Sequence, residues 1–116
     1  MLSSQNRLRK SKDIESVLKK GFKFKEGSLV LRVAGNKSAK TRFAFIVSGK
    51  VSKKAVERNK IRRILSEAVR SRLPIIEKGI DAIFIVLPEA GGKTSDLGRT
   101  AENLLIKANL TLNPKP

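Results

Sequence analysis

Arg58, Asn59, Lys60, Arg62 and Arg63 stand in one short run, Arg-Asn-Lys-Ile-Arg-Arg over residues 58–63. Guanidinium and ammonium groups pair with phosphate oxygens, and an asparagine amide can both donate to and accept from a ribose hydroxyl or a base edge. Lys50, Lys53 and Lys54 precede the run and Arg70 follows it. Ile61, Ile64, Leu65, Ala68 and Val69 thread through it at helical spacing. With Asn59 at zero and about 100° per residue, Arg62, Arg63, Ser66 and Arg70 fall within about 60° of it, flanked by Arg58 and Lys60. Ile61, Ile64, Leu65 and Ala68 fall opposite. The spacing therefore predicts an amphipathic helix whose cations form a rigid outward row. A solvated surface helix can also carry such charge, but only Glu57 and Glu67 lie in this stretch to offset the repulsion. Lys50, Lys53 and Lys54 add charge at the helix entrance, where backbone N–H groups can also hold a phosphate.

The rest of the chain supports a polyanionic partner. Among 116 residues, 26 are Lys or Arg and 10 are Asp or Glu, a net charge of +16. That much self-repulsion opposes compaction unless a polyanion neutralises it, and nucleic acid fits better than a membrane surface. The apolar fraction of 40% is nevertheless that of a folded domain. There is no Cys and no His, which excludes zinc sites, thiol chemistry, disulfides and imidazole acid–base catalysis. Residues 1–12 show no signal-peptide core and no apolar run approaches membrane-spanning length, so the expected location is the cytoplasm. With five Phe, no Trp and no Tyr, aromatic stacking cannot be the main binding mode.

The elements that must position the basic helix read as a single α+β domain over residues 1–116, in the order α-β-β-β-α-β-α. Residues 1–10 are expected to be a mobile basic arm. Ser11 can cap a first helix in which Ile14, Val17 and Leu18 share a face, and Gly21 stops it. Strands are expected at 22–25, 29–33, 42–47 and 82–87, with 42–47 at the sheet centre and Phe22 and Phe24 in the core. The basic helix runs from about Ser52 to Arg72, with Pro74 marking its end, and a last helix carries Ala101, Leu104, Leu105 and Ala108. Residues 111–116 read as a frayed tail. Strand, basic helix and strand make a β-α-β unit, so a four-stranded mixed sheet packed by helices follows.

The stretch from Val47 through Ala55, Arg58-Asn59-Lys60, Ile61 and Arg62-Arg63 resembles the signature of the bacterial ribonuclease P protein family. The opening from Asn6 to Gly21 and the segment Lys78-Gly-Ile-Asp81 are similar as well, and the likeness spans about residues 5–110. The resemblance implies a non-catalytic protein subunit. It would bind the catalytic RNA of ribonuclease P and the single-stranded 5′ leader of precursor tRNA, with the chemistry performed by magnesium bound to that RNA. It implies that the basic helix docks on the RNA, through Arg58, Asn59, Lys60, Arg62, Arg63 and Arg70 supported by Lys50, Lys53 and Lys54. It also implies a leader groove between the first helix and the sheet, faced by Ile14, Leu18 and Arg32, and a left-handed β-α-β crossover. The chain departs from the family pattern in Ile14, Leu18 and Arg32, where aromatic residues are common. It departs again in Ser66, where a cation is common, and in a longer loop before the helix.

A ribosomal protein without processing activity is the alternative reading, and a DNA-binding module is the weaker third, because no helix precedes the basic one at helix-turn-helix spacing. The helical geometry also predicts that Arg62→Ala weakens RNA binding with little effect on stability, and that Ile64→Ala costs about 2–5 kcal/mol if that side chain is fully buried.

Overall fold

The computed structural model describes residues 2–36, 40–76, 78–90 and 96–108; the C-terminal segment 111–116 lies outside them. Helix α1 spans Ser11–Lys20, strands β1, β2 and β3 span Phe22–Glu26, Leu29–Gly35 and Arg42–Ile46, and helix α2 spans Ala55–Arg72. Strand β4 covers Ile80–Val86 and helix α3 Leu97–Lys107, with short 3-10 turns at Ser4–Asn6, Leu73–Ile75 and Pro88–Ala90. The expected α-β-β-β-α-β-α order holds.

The sheet runs β1-β2-β4-β3, with β2 antiparallel to both neighbours and β3 parallel to β4. It is therefore a mixed sheet, and β4, not β3, sits beside β2 in its interior. Six of the seven β4 residues are buried, whereas β3 is an edge strand with one buried residue, correcting the expected sheet centre. The apolar pattern of β3 misled because its outer edge is covered by the chain's beginning. Leu8 N–H donates to the Phe43 carbonyl at 2.8 Å, and Leu2 and Leu8 are 2% and 4% exposed. The Asn6 amide donates to the Thr41 carbonyl at 2.9 Å. The expected mobile arm is thus anchored at residues 2–8.

Alternation along the strands divides the sheet into two faces. One carries Leu29, Leu31, Val33, Phe43, Ala82, Phe84 and Val86, and packs against Ile61, Leu65 and Val69 of α2 and Ala101, Leu104 and Leu105 of α3. Phe84 stacks between Phe43 and Phe45, at centroid distances of 6.2 and 6.1 Å. Phe24 joins this core, but Phe22, expected there too, is 77% exposed at the start of an edge strand. An ion pair between Arg72 Nε and Glu102 Oε1 at 3.3 Å ties α2 to α3. Ile64 is only half-buried, beside Gly98, whereas Leu65 is fully buried. Ile64→Ala should therefore cost about 1–2 kcal/mol, below the range for a fully buried site, as a urea midpoint would show.

The other face carries α1. Lys10, not Ser11, occupies the helix's capping position, and no side-chain bond closes that end. Gly21 ends the helix as expected but for a different reason. Its φ of −70° is open to any residue. A Cβ there would lie 2.4 Å from the Val17 carbonyl oxygen and 3.0 Å from that of Val33. Gly21 is thus the point where α1 presses on β2. Gly21→Ala must push the two backbones apart, and should lower stability by about 2 kcal/mol in urea unfolding.

Candidate nucleic-acid interface

Helix α2 is positioned by its apolar stripe and by the loop that enters it. Val51 is buried and its N–H donates to the Ser48 carbonyl at 3.0 Å, which pins the loop. The Ser52 hydroxyl donates to Glu57 in the first helical turn and accepts the Lys54 N–H at 3.2 Å. The helix begins at Ala55, three residues later than expected, and leaves Lys50, Lys53 and Lys54 exposed around its N-terminus.

The outward face is rotated from the expected one. Val56, Asn59, Lys60, Arg63, Glu67 and Arg70 are exposed, so the face centres about 60° from Asn59, toward Lys60 and Arg63. Ser66, expected in the polar row, is 1% exposed. Arg58 and Arg62 lie on the flank next to the sheet and are half-buried. Arg58 donates to the Ser52 carbonyl at 2.9 Å. Arg62 donates to Asn59 Oδ1 at 2.8 Å and to the Val47 carbonyl at 3.4 Å. These two arginines lay their stems along apolar surface and spend donors on the protein itself. Lys60 and Arg63 have no partner among the described residues, and Arg70 has only a surface pair with Glu67 at 3.4 Å, which is worth little.

On the opposite face, Ile14 and Leu18 point from α1 onto Leu8 and Ile83, beside Ala34, Ala44, Ile46 and Ile85. Arg32 lies in the same layer. The paired row Lys23, Arg32, Ile83, Ala44 crosses all four strands on this face. Arg32 donates to the Gly21 carbonyl at 3.3 Å, so it borders the far end of α1. The three residues expected in the groove thus share one surface. Sequence reasoning missed Lys23 and Lys25, which alternation places on that same face; reading the two-residue period of β1 outward would have found them.

Arg42 was also missed. Its Nε and one terminal nitrogen bond Asp81 at 2.9 and 2.7 Å, and the other reaches Asp13 of α1 at 3.5 Å. The Asn36 amide donates to the same Asp81 carboxylate at 2.7 Å. The hydrogen bond to Asp81 raises the Arg42 pKa above its already high ordinary value. Arg42 therefore ties the first turn of α1 to the ends of β3 and β4.

The fold that carries this cationic helix on one face of its sheet and α1 on the other has known relatives. A family model described as Ribonuclease P matches residues 2–109. The ribonuclease P protein component of Pseudanabaena is 34% identical over 112 residues, covering 95% of this chain and 97% of that protein. Its counterpart in Clostridium kluyveri is 35% identical over 107 residues, covering 90% and 95%. The structure of the Staphylococcus aureus RNase P protein superposes with a TM-score of 0.84 at 28% identity, covering 92% of this chain and 98% of that one. With sequence and fold in agreement over nearly the whole length, the chain belongs to the ribonuclease P protein family.

Proposed function

We propose that this chain is the RNA-binding subunit of a ribonuclease P, an endoribonuclease that removes the 5′ leader of precursor tRNA. The α2 face binds the catalytic RNA. Asn59, Lys60, Arg63 and Arg70 supply its outward groups, Arg58 and Arg62 the flank, and Lys50, Lys53 and Lys54 the entrance. The groove of Ile14, Leu18 and Arg32 guides the leader, and Lys23 and Lys25 extend its charge. The observation that carries this reading is the placement of the two cationic surfaces on opposite faces of one sheet, so two RNA segments can be held at once. With Arg32 in place of an aromatic platform, leader binding here is more electrostatic than stacked.

The residues do not fit a protein-held magnesium site. Among the described residues no group of three or more carboxylates comes together, and Asp81 is already engaged by Arg42 and Asn36. In this reading the reaction's magnesium would be held by the RNA partner, and the protein's part would be binding and orientation. No helix among the described residues is long and apolar enough to cross a membrane. A subunit that acts on precursor tRNA would work in the cytoplasm. The test is reconstitution with ribonuclease P RNA at low magnesium. Faster cleavage of precursor tRNA is expected, and unchanged cleavage would sink the reading. Identifying the RNA that copurifies would separate it from a ribosomal role.

A further inference from the structure

The two edges of the sheet are closed by different means. Strand β1 presents Lys23 and Lys25, both exposed, and the Lys25 carbonyl accepts Lys107 Nζ at 3.4 Å. Exposed lysines are a common guard against edge-to-edge pairing. Strand β3 has no such guard. Phe43-Ala-Phe-Ile-Val47 is an uncharged apolar run without Gly or Pro, the composition that pairs most readily with another strand.

What closes β3 is the chain's own beginning. Along the outer edge, the peptide groups of every second residue face away from β4. The Thr41 carbonyl accepts the Asn6 amide at 2.9 Å, and the Phe43 carbonyl accepts Leu8 N–H at 2.8 Å. The Val47 carbonyl accepts Arg62 at 3.4 Å, and the Phe45 peptide between them meets no described residue. Arg7 is bridged to Phe43 in parallel, so this edge already accepts a strand. The segment is held there by two side chains. Leu2 enters the core beneath α2 and α3, and Leu8 enters the core beneath α1.

We propose that the outer edge of β3 is a self-pairing surface, that its partner is β3 of a second copy of this chain, and that residues 2–8 are the cover that keeps it closed. With the cover displaced and Arg62 swung aside, Thr41, Phe43, Phe45 and Val47 present their peptide groups in a row. A two-fold axis beside Phe45 sets two such edges antiparallel. The Phe45 peptide of each copy then donates to and accepts from its counterpart, and Phe43 and Val47 pair across the axis. The assembly stops at two copies, because both edges left outside are β1, with their lysines. The net charge of +16 on each copy opposes the approach, so association needs both the cover released and the charge screened.

The test uses the full chain without RNA, so it stands apart from the reconstitution above. Leu2→Ala with Leu8→Ala loosens the cover at both ends. Leu8→Pro keeps an apolar side chain for the α1 core but removes the N–H that bonds Phe43, and its ring pushes the segment off the edge. Sedimentation velocity at about 100 μM protein in about 1 M salt, where the Debye length is about 3 Å, should show a monomeric parent and a dimer in both variants. In the dimers the Phe45 amide, which has no partner among the described residues of the parent, should exchange at least about tenfold more slowly. Adding Ala44→Lys, the guard that β1 already uses, should restore the monomer. Circular dichroism and a cooperative urea transition report that each variant is folded, and if the double alanine variant lacks that transition, Leu8→Pro decides. A folded variant that stays monomeric, a dimer whose Phe45 amide exchanges as fast as in the parent, or a dimer that survives Ala44→Lys would each overturn the surface. A parent that dimerises under the same conditions would overturn the cover.

Discussion

Arg42→Ala should destabilise the fold by about 3 kcal/mol, the low end of the range for breaking a buried ion pair. Asp81 is 6% exposed and accepts two bonds from Arg42. Removing the guanidinium leaves that carboxylate with the Asn36 amide in place of a full charge partner. The low end applies because the Arg42 side chain is 28% exposed, so water can enter the vacated space. Arg42→Lys keeps the charge but loses the two-pronged geometry, and should fall between the variant and the parent. A drop in the urea midpoint with unchanged m-value is the expected signature. A second effect follows from the Asp13 contact. Arg42 is a tie between the sheet and the first turn of α1, so amide exchange should accelerate around Ile14 more than around Val17, which the core holds directly. A midpoint within about 0.5 kcal/mol of the parent would show that the buried carboxylate is satisfied without Arg42.

This clamp marks where sequence reading reached its limit. The helical period of α2 was legible because Ile61, Ile64, Leu65, Ala68 and Val69 recur at helical spacing within an 18-residue segment, and the β3–α2–β4 connection then implied parallel pairing. Periodicity locates the buried side of such a helix, but it blurs the boundary where arginines stand. A guanidinium on a long stem can sit at the flank and bond backbone carbonyls, as Arg58 and Arg62 do. Counting them as outward charges turned the predicted face about 60° too far toward the sheet and carried buried Ser66 with it. The anchored N-terminus was illegible for a related reason: Leu2 and Leu8 are isolated among polar and cationic neighbours, with no period to read. Their burial depends on the edge of β3, which comes some 35 residues later and was itself taken for the centre. Pairings such as Arg42 with Asp81 and Asp13 join residues far apart in sequence, so local pattern could not show them. The groove residues fared better, because Ile14 and Leu18 lie one helical turn apart, and Arg32 alternates with the buried residues of β2.

Reversing both free cations of the outward face, Lys60→Glu with Arg63→Glu, should cut affinity for the catalytic RNA on the order of 100-fold at low salt. Each substitution deletes one phosphate contact and sets a like charge against the RNA backbone. The matching Lys60→Ala, Arg63→Ala pair should reduce the slope of log affinity against log salt by roughly 1.5, two contacts at about 0.7–0.9 each. Stability should stay within about 0.5 kcal/mol in either pair, because both side chains are exposed and bond nothing among the described residues. Arg62→Ala is the instructive contrast. Its guanidinium also holds the Val47 carbonyl and Asn59, so its loss should cost about 0.5–1 kcal/mol of stability as well as a contact. If the RNA instead engaged the flank of α2 next to the groove, Arg62→Ala would weaken binding strongly while the Lys60 and Arg63 variants left the salt slope unchanged. Titrating the three variants against one RNA over a range of salt therefore decides which side of the helix the RNA occupies.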